Sequence, residues 1–249
     1  MTLDGSVALV TGGARRVGRA IAIELARAGS DVAVHYRSSR AQAQEVASII
    51  EGLGQSCLLI EADLCDASSW PAIVGRTVDG LGRLDILVNN ASVFPIDPKN
   101  SDDEQVFDQA HWESTLRTNL IAPAALCHLA REHLAAHGRG SVINLCDISS
   151  SKPWPAHLAY CSSKAALESL TRGLAKAFAP EIRVNGVAPG IAVFPESYGE
   201  ALRNKLVDLV PMGRPGTPEE VALLVRFLAE SADYITGQII PIDGGRTIA

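Results

Sequence analysis

Two side chains spaced for proton transfer, Tyr160 and Lys164, lie in the middle part of the chain. Residues four apart share one face of a helix, so the phenol and the ammonium group are expected close together. A phenol ordinarily has a pKa of about 10, and a nearby ammonium stabilises its ionised form. The spacing therefore predicts that the pKa of Tyr160 is lowered and that this residue exchanges a proton with a bound molecule.

The elements that must position this pair follow from the apolar pattern. Short apolar runs rich in valine and isoleucine alternate with segments of helical spacing, and their hydrophobicity is continuous, which indicates strands covered on both faces. The runs cover residues 7–11, 31–36, 56–63, 84–91, 141–147, 182–189 and 237–243. The alternation predicts an α/β fold in which residues 1–249 form one Rossmann-like domain, a doubly wound parallel sheet of about seven strands with helices on both faces.

Two segments interrupt the pattern, residues 94–105 and 189–220, and both are rich in proline, glycine and acidic residues. Each follows the carboxyl end of a predicted strand, where a doubly wound sheet binds its ligands. We therefore expect both segments to cover a substrate.

A glycine-containing turn lies between the first predicted strand and the first helix, in "LVTGGARRVGRAIA" at residues 9–22. Glycines allow the backbone to approach a pyrophosphate, and the helix N-terminus offers unpaired N–H groups and a positive partial charge. The placement of the turn predicts a dinucleotide site rather than an ordinary strand-to-helix connection.

These residues resemble the short-chain dehydrogenase/reductase family, whose pattern Thr-Gly-x-x-x-Gly-x-Gly begins here at Thr11 and ends at Gly18. The resemblance extends along essentially the full chain. It implies a nicotinamide cofactor, with Tyr160 as the acid, Lys164 beside the phenol and on the ribose, and Asn119 ordering a water for a proton relay. The cofactor contacts it implies are Gly12, Arg15, Arg16, Val17, Gly18, Asp63, Leu64, Asn90, Ala91, Ser92, Tyr160, Lys164, Pro189, Gly190 and Ile191.

The end of the second predicted strand indicates which nicotinamide cofactor is bound. Enzymes that prefer NAD usually carry an acid there for the ribose 2′-hydroxyl, whereas arginine accommodates a 2′-phosphate. No acid lies between Asp31 and Glu45. The cations and hydroxyl donors expected at the 2′-phosphate are His35, Arg37, Ser38, Ser39 and Arg40, and Tyr36 is expected to contact the cofactor beside them. NADPH is therefore the predicted cofactor. The alternative is a solvated basic loop with little discrimination between the cofactors.

An acid replaces a serine at one position of the family pattern. Most members have a serine thirteen residues before the tyrosine, and this chain has Asp147 there. An ionised carboxylate opposes the charge of a developing alkoxide, whereas reduction of a C=N bond needs an acid near the nitrogen. Asp147 and Tyr160 would form a coupled pair, one member of which keeps its proton near neutrality. The pair therefore favours reduction of a C=N bond.

Within the family this set of residues resembles the pteridine reductases and dihydromonapterin reductases. They share an arginine in the glycine turn, "HYRSS" after the second strand and an aromatic residue after "NNAS". The resemblance implies a dihydropterin or dihydrofolate substrate that stacks on Phe94 and makes polar contacts with Arg16, Ser92, Asp147 and Tyr160. Three alternatives remain: Phe94 as plain core, a carbonyl reductase in which Ser149 or a neighbour replaces Asp147, and a nucleotide-binding regulator without catalysis.

Charge and composition argue against other classes of protein. The net charge of −6 gives no basic face for nucleic acid. No apolar run reaches the roughly 18–20 residues of a spanning helix, which predicts a cytoplasmic protein without membrane attachment. The five cysteines lack the spacing of a zinc site or a disulfide framework, so no metal is expected.

By family analogy, helices at about 110–136 and 157–179 pair in a homotetramer.

Overall fold

The computed structural model describes residues 3–99 and 106–249. Its centre is a parallel sheet of seven strands in the order β3-β2-β1-β4-β5-β6-β7, which confirms the predicted fold. The strands are β1 (Val7–Val10), β2 (Asp31–Tyr36), β3 (Cys57–Glu61), β4 (Ile86–Asn89), β5 (Gly140–Leu145), β6 (Ile182–Pro189) and β7 (Ile239–Ile242).

Helices cover both faces of the sheet because each strand is apolar on both sides. Val10 and Val34 pack on the face covered by α1 (Arg16–Arg27), α2 (Arg40–Gly52) and α8 (Pro218–Glu230). Leu9 and Ala33 pack on the opposite face, which is covered by α3 (Trp70–Leu81), α5 (Ala122–Ala135) and α6 (Leu158–Phe178). Because the strand order reverses between β1 and β4, the connections leave these two strands in opposite directions and open a crevice at their carboxyl ends.

The helix expected at 110–136 consists of three parts. It begins as α4 (Gln109–Leu116), continues through a π-helical segment (Arg117–Ile121) and ends as α5. A π-helical turn inside a helix is often found at a functional site, and this one carries Asn119.

The segment 189–220 is not all loop, because it contains helix α7 (Glu200–Val207) and the start of α8. The sequence pattern missed α7 because this helix buries none of its residues in the core. Of the other interrupting segment, residues 94–99 are described and residues 100–105 lie outside the described residues. Within the described part of the chain, none of the helices combines the length and the apolar character needed to cross a membrane.

Candidate active site

A cavity of about 1240 Å³ opens at the carboxyl ends of the central strands. It contains nearly all the side chains that the sequence predicted for the site. Those that line it are Gly12, Arg15, Arg16, Val17, Gly18, His35, Arg37, Ser38, Ser39, Asp63, Leu64, Asn90, Ala91, Ser92, Phe94, Asp147, Tyr160, Lys164, Pro189, Gly190 and Ile191. Among the predicted residues, Tyr36, Arg40 and Asn119 do not line it.

The glycine turn forms one wall of the cavity. Gly12 has a φ of +64°, and a Cβ on Gly18 would collide with the Gly12 carbonyl and the Asn90 amide. Helix α1 begins directly after the turn, with no side-chain cap and no acid in its first turn among the described residues. Its N–H groups are therefore available to an anion in the cavity.

Arg16 adopts a backbone conformation that side chains rarely take, with a φ of +50°. The family pattern has a glycine at this position, so the arginine is held at a cost of about 1–3 kcal/mol. Its guanidinium and that of Arg15 lie 3.7 and 3.6 Å from the carboxylate of Glu196, in the segment after β6. Strain that accompanies a cavity-lining cation suggests that the side chain is retained for binding.

His35 is not the cation that the sequence predicted. Its Nδ1 accepts a hydrogen bond from the Gly12 N–H at 3.2 Å, and its Nε2 lies 3.1 Å from the Ala62 carbonyl. Burial lowers the pKa of His35 to about 4, so the ring is neutral near pH 7 and holds the glycine turn in place. The expectation failed because the last residues of β2 are buried.

The prediction that Tyr36 contacts the cofactor is also corrected by the structure. Its side chain is buried against Ala14 and Ala43, and its hydroxyl donates to Glu61 at 3.2 Å, away from the cavity. In contrast, Arg37 and Ser38 are exposed and line the cavity where β2 ends. Of the residues predicted for the 2′-phosphate, Arg37, Ser38 and Ser39 line the cavity with a cation or a hydroxyl, whereas Arg40 does not line it.

The two asparagines at the end of β4 hold neighbouring strands together. Asn90 Nδ2 donates to the carbonyls of Thr11 at 2.8 Å and Gly12 at 3.2 Å, which ties the glycine turn to β4. Asn89 Nδ2 donates to Asn144 Oδ1 on β5 at 2.9 Å. Both amides thus link the ends of neighbouring elements at the edge of the cavity, and a contact of Asn90 with the cofactor stays a prediction.

The Tyr160 phenol and the Asp147 carboxylate are paired in the cavity wall. Tyr160 Oη donates a hydrogen bond of 2.8 Å to Asp147 Oδ2, and Asp147 Oδ1 accepts from the Ser149 N–H at 2.8 Å. None of the three serines that follow Asp147 lines the cavity. Ser149 is fully buried, Ser150 donates to Glu168 and Ser151 donates to the Ile148 carbonyl. Asp147 therefore occupies the position where the family pattern has a serine.

The prediction of a lowered Tyr160 pKa is wrong for this structure. Burial and the adjacent Asp147 carboxylate raise the pKa of Tyr160 well above its ordinary value. Lys164 Nζ donates to the Leu145 carbonyl at 2.6 Å and lies 5.7 Å from the centre of the Tyr160 ring. Burial lowers the pKa of Lys164 itself. Tyr160 thus keeps its proton, as a proton donor requires.

Asn119 lies behind the cavity wall, in the π-helical segment. Its side chain accepts from the Val93 N–H at 2.9 Å and donates to the Val93 carbonyl and to Ser163 Oγ. It therefore joins the segment after β4 to the helix that carries Tyr160. Its ordering of a water stays a prediction.

Phe94 belongs to an aromatic cluster that sequence reasoning found only in part. Its ring is stacked on His157 at a centroid distance of 4.2 Å and meets the edges of Tyr160 at 4.7 Å and Trp154 at 6.0 Å. The side chain is 40% exposed, so it is not plain core. His157 and Trp154 were missed because only the fold brings residue 94 and residues 154–160 together.

Asp97 is a third residue that sequence reasoning missed. Its buried carboxylate accepts from the Leu158 N–H at 2.5 Å, at the start of α6, and lies 3.0 Å from His111 Nε2 on α4. An acid at a helix N-terminus is stabilising, and this one fixes the helix that carries Tyr160 and faces Phe94.

The last residues of the chain complete the outer wall. Lys152 Nζ donates to the carbonyls of Arg246 at 3.2 Å and Ala249 at 2.7 Å. Lys152, Trp154, Arg246 and Ala249 all line the cavity. Among the described residues, no cluster of His, Cys, Asp or Glu side chains is arranged to hold a metal ion.

A doubly wound sheet with a glycine turn at its switch point and a Tyr–Lys pair in the same cavity defines an oxidoreductase that binds a dinucleotide. The profile of the family described as enoyl-(acyl carrier protein) reductase matches residues 12–247. The chain belongs to the short-chain dehydrogenase/reductase family.

Its relatives include oxidoreductases of several kinds. An uncharacterized oxidoreductase of Bacillus subtilis, YhdF, is 38% identical over 99% of this chain and 85% of its own length. The 3-oxoacyl-[acyl-carrier-protein] reductase FabG of Staphylococcus aureus is 34% identical over 96% of both chains. A solved short-chain dehydrogenase/reductase of Serratia marcescens is 36% identical, with a TM-score of 0.90 over 99% of this chain and 100% of its own. A blue fluorescent protein from a metagenomic library, solved with NADPH, is 31% identical, with a TM-score of 0.90 over 99% of both chains.

Proposed function

We propose that the protein is an NADPH-dependent reductase that converts a 7,8-dihydropterin or dihydrofolate to its tetrahydro form. The observation that carries this proposal is the 2.8 Å hydrogen bond between Tyr160 and Asp147 inside the cavity. A carboxylate at this position opposes the formation of an alkoxide, whereas it assists protonation of a nitrogen. The substrate is therefore one whose C=N bond is reduced.

The cavity suits the proposed cofactor at two points. The uncapped N-terminus of α1, with Arg15 and Arg16 beside it, fits a pyrophosphate. Arg37 and Ser38 fit a 2′-phosphate, because a guanidinium and a hydroxyl both donate hydrogen bonds to it. The neighbour solved with NADPH has the same fold, which agrees with this choice.

Bound NADPH supplies a hydride, which goes to C6 of the substrate. N5 would then take a proton from Tyr160, the protonated member of its pair with Asp147, and water would return a proton to Tyr160. Lys164 and Asn119 hold the ribose and the relay water. Phe94 offers its exposed ring surface to the flat pterin, and Arg16 and Ser92 offer polar contacts.

A carbonyl reductase is the second candidate, because the Staphylococcus aureus relative is a 3-oxoacyl-[acyl-carrier-protein] reductase. In that case a serine, rather than Asp147, would donate a hydrogen bond to the substrate carbonyl. Ser149 is the nearest candidate, but it is fully buried outside the cavity lining. This geometry disfavours the second candidate.

The test is an NADPH-coupled assay across dihydrobiopterin, dihydromonapterin, dihydrofolate and an acetoacetyl thioester. We expect turnover of at least one of the reduced pterins or dihydrofolate and little with the thioester. Turnover of the thioester alone would favour the carbonyl reductase.

We further propose that the enzyme is a cytoplasmic homotetramer. Ile121, Leu129 and Leu158 are apolar residues of the α5 and α6 region that are 40–47% exposed, as expected of a helix-pairing surface. The five cysteines are free thiols, which suits a reducing compartment. Light scattering should give four times the chain mass.

A further inference from the structure

Beyond Tyr160, the cavity wall continues outward through two aromatic rings to a cation. The Phe94 ring lies 4.7 Å from the Tyr160 ring, and the Trp154 ring lies 6.0 Å from that of Phe94. The guanidinium carbon of Arg246 lies 5.9 Å from the centre of the Trp154 ring. All four side chains line the one cavity. The wall therefore offers, in order, a proton donor, two aromatic surfaces and a positive charge.

Among the cations that line the cavity, Arg246 and Arg37 differ from Arg15, Arg16, Lys152 and Lys164, and Arg37 follows β2 at the proposed 2′-phosphate site. Arg15 and Arg16 share the Glu196 carboxylate, and Lys164 donates to a backbone carbonyl. In the described part of the chain, the Arg246 guanidinium forms neither a hydrogen bond nor an ion pair, and its only charge contact is the Trp154 ring. A guanidinium is suited to bind a carboxylate through two parallel hydrogen bonds.

The backbone around Arg246 is held in place. Lys152 donates to the Arg246 and Ala249 carbonyls. Asp243 accepts from the Gly245 N–H at 3.0 Å and from the Thr247 N–H at 2.7 Å. The segment that carries the cation is thus fixed on both sides of it, which lowers the entropic cost of binding an anion there.

We infer that Trp154 and Arg246 form a subsite for an aromatic tail that ends in a carboxylate, and that the substrate is a dihydrofolate rather than a dihydropterin with a short neutral side chain. This inference rests on the proposed function. The pteridine ring lies at Phe94 and Tyr160, the aminobenzoyl ring packs against Trp154, and a tail carboxylate pairs with Arg246. The order of groups along the wall matches the order of groups along the ligand.

The test compares dihydrofolate with dihydrobiopterin in the wild type and in Arg246→Gln. The control is Arg214→Gln, which removes an exposed arginine that is paired with Glu220 outside this cavity. We expect Arg246→Gln to raise the KM for dihydrofolate about tenfold, because it removes a charge-assisted contact, with kcat nearly unchanged. Both constants for dihydrobiopterin should stay unchanged, and Arg214→Gln should match the wild type with both substrates.

Salt provides a second readout of the same contact. The KM for dihydrofolate should rise with ionic strength in the wild type and rise much less in Arg246→Gln. An unchanged KM for dihydrofolate in Arg246→Gln, or an equal loss with both substrates, would overturn the tail subsite while leaving the reductase activity established. If the wild type reduced neither substrate, the proposed function itself would fail, and this inference with it.

Discussion

Because the ring of His35 is buried, the unfolding free energy of the protein should fall in acid by an amount set by the lowered pKa of this residue. The ring is buried beneath the glycine turn, and burial lowers its pKa from 6.5 to about 4. Because the unfolded chain binds the extra proton between about pH 6.5 and pH 4 and the folded chain does not, stability falls as pH falls through that range. One pKa unit corresponds to about 1.4 kcal/mol, so His35 alone removes about 2.5 kcal/mol of unfolding free energy between about pH 7.5 and pH 4.5.

The assay is urea unfolding of the wild type and His35→Asn at both pH values and at one protein concentration. The asparagine Oδ1 can accept from the Gly12 N–H as the histidine Nδ1 does, and it does not titrate. Other groups titrate in both proteins, so the difference between the two pH-dependent losses isolates His35. The wild type should lose about 2.5 kcal/mol more than the variant. Equal losses would refute the assignment of a buried neutral histidine.

Three further predictions concern the cofactor and the position of Tyr160. Arg37→Asp should raise the KM for NADPH at least tenfold and the KM for NADH much less. Equal effects on both in steady-state kinetics would refute the assignment of Arg37 to the 2′-phosphate site. Arg16→Gly relieves the strained φ of +50°, so chemical denaturation should show little or no loss of stability, while kcat/KM should fall at least tenfold. The control Arg19→Gly, in the same helix, should instead lower the unfolding free energy by about 1 kcal/mol. Asp97→Ala should lower kcat about tenfold at an unchanged KM for NADPH, and Asp97→Asn should restore part of the lost kcat. A change in KM alone would contradict a role for Asp97 in positioning the start of α6.

The sequence predicted those parts of the molecule that depend on local pattern. Continuous apolar runs separated by helical segments specify a parallel sheet, and its seven strands were found close to the expected bounds. The spacing of Asp147, Tyr160 and Lys164 depends only on where one strand ends and one helix begins. Their meeting in one cavity could therefore be predicted before the structure was seen.

Features that depend on loops or on burial could not be predicted. His157, Trp154 and Asp97 meet Phe94 or α6 through contacts that cross about sixty residues of chain. Arg246 reaches the same wall from the end of the sequence. The basic sequence neighbours of His35 predict a cation there, whereas its pKa follows from the depth at which β2 buries it. The pKa of Tyr160 was likewise set by burial and by Asp147 rather than by Lys164.

The role of Asp147 is tested most directly by replacing it with the serine that the family pattern has. NADPH oxidation should be followed with dihydrofolate, dihydrobiopterin and an acetoacetyl thioester in the wild type and in Asp147→Ser. The serine keeps a hydrogen-bond partner for Tyr160 and removes the carboxylate. We predict that kcat with the reduced pterins falls about a hundredfold while ketone reduction is unchanged or improved. An unchanged rate with dihydrofolate and dihydrobiopterin would contradict the role of Asp147 in protonating N5.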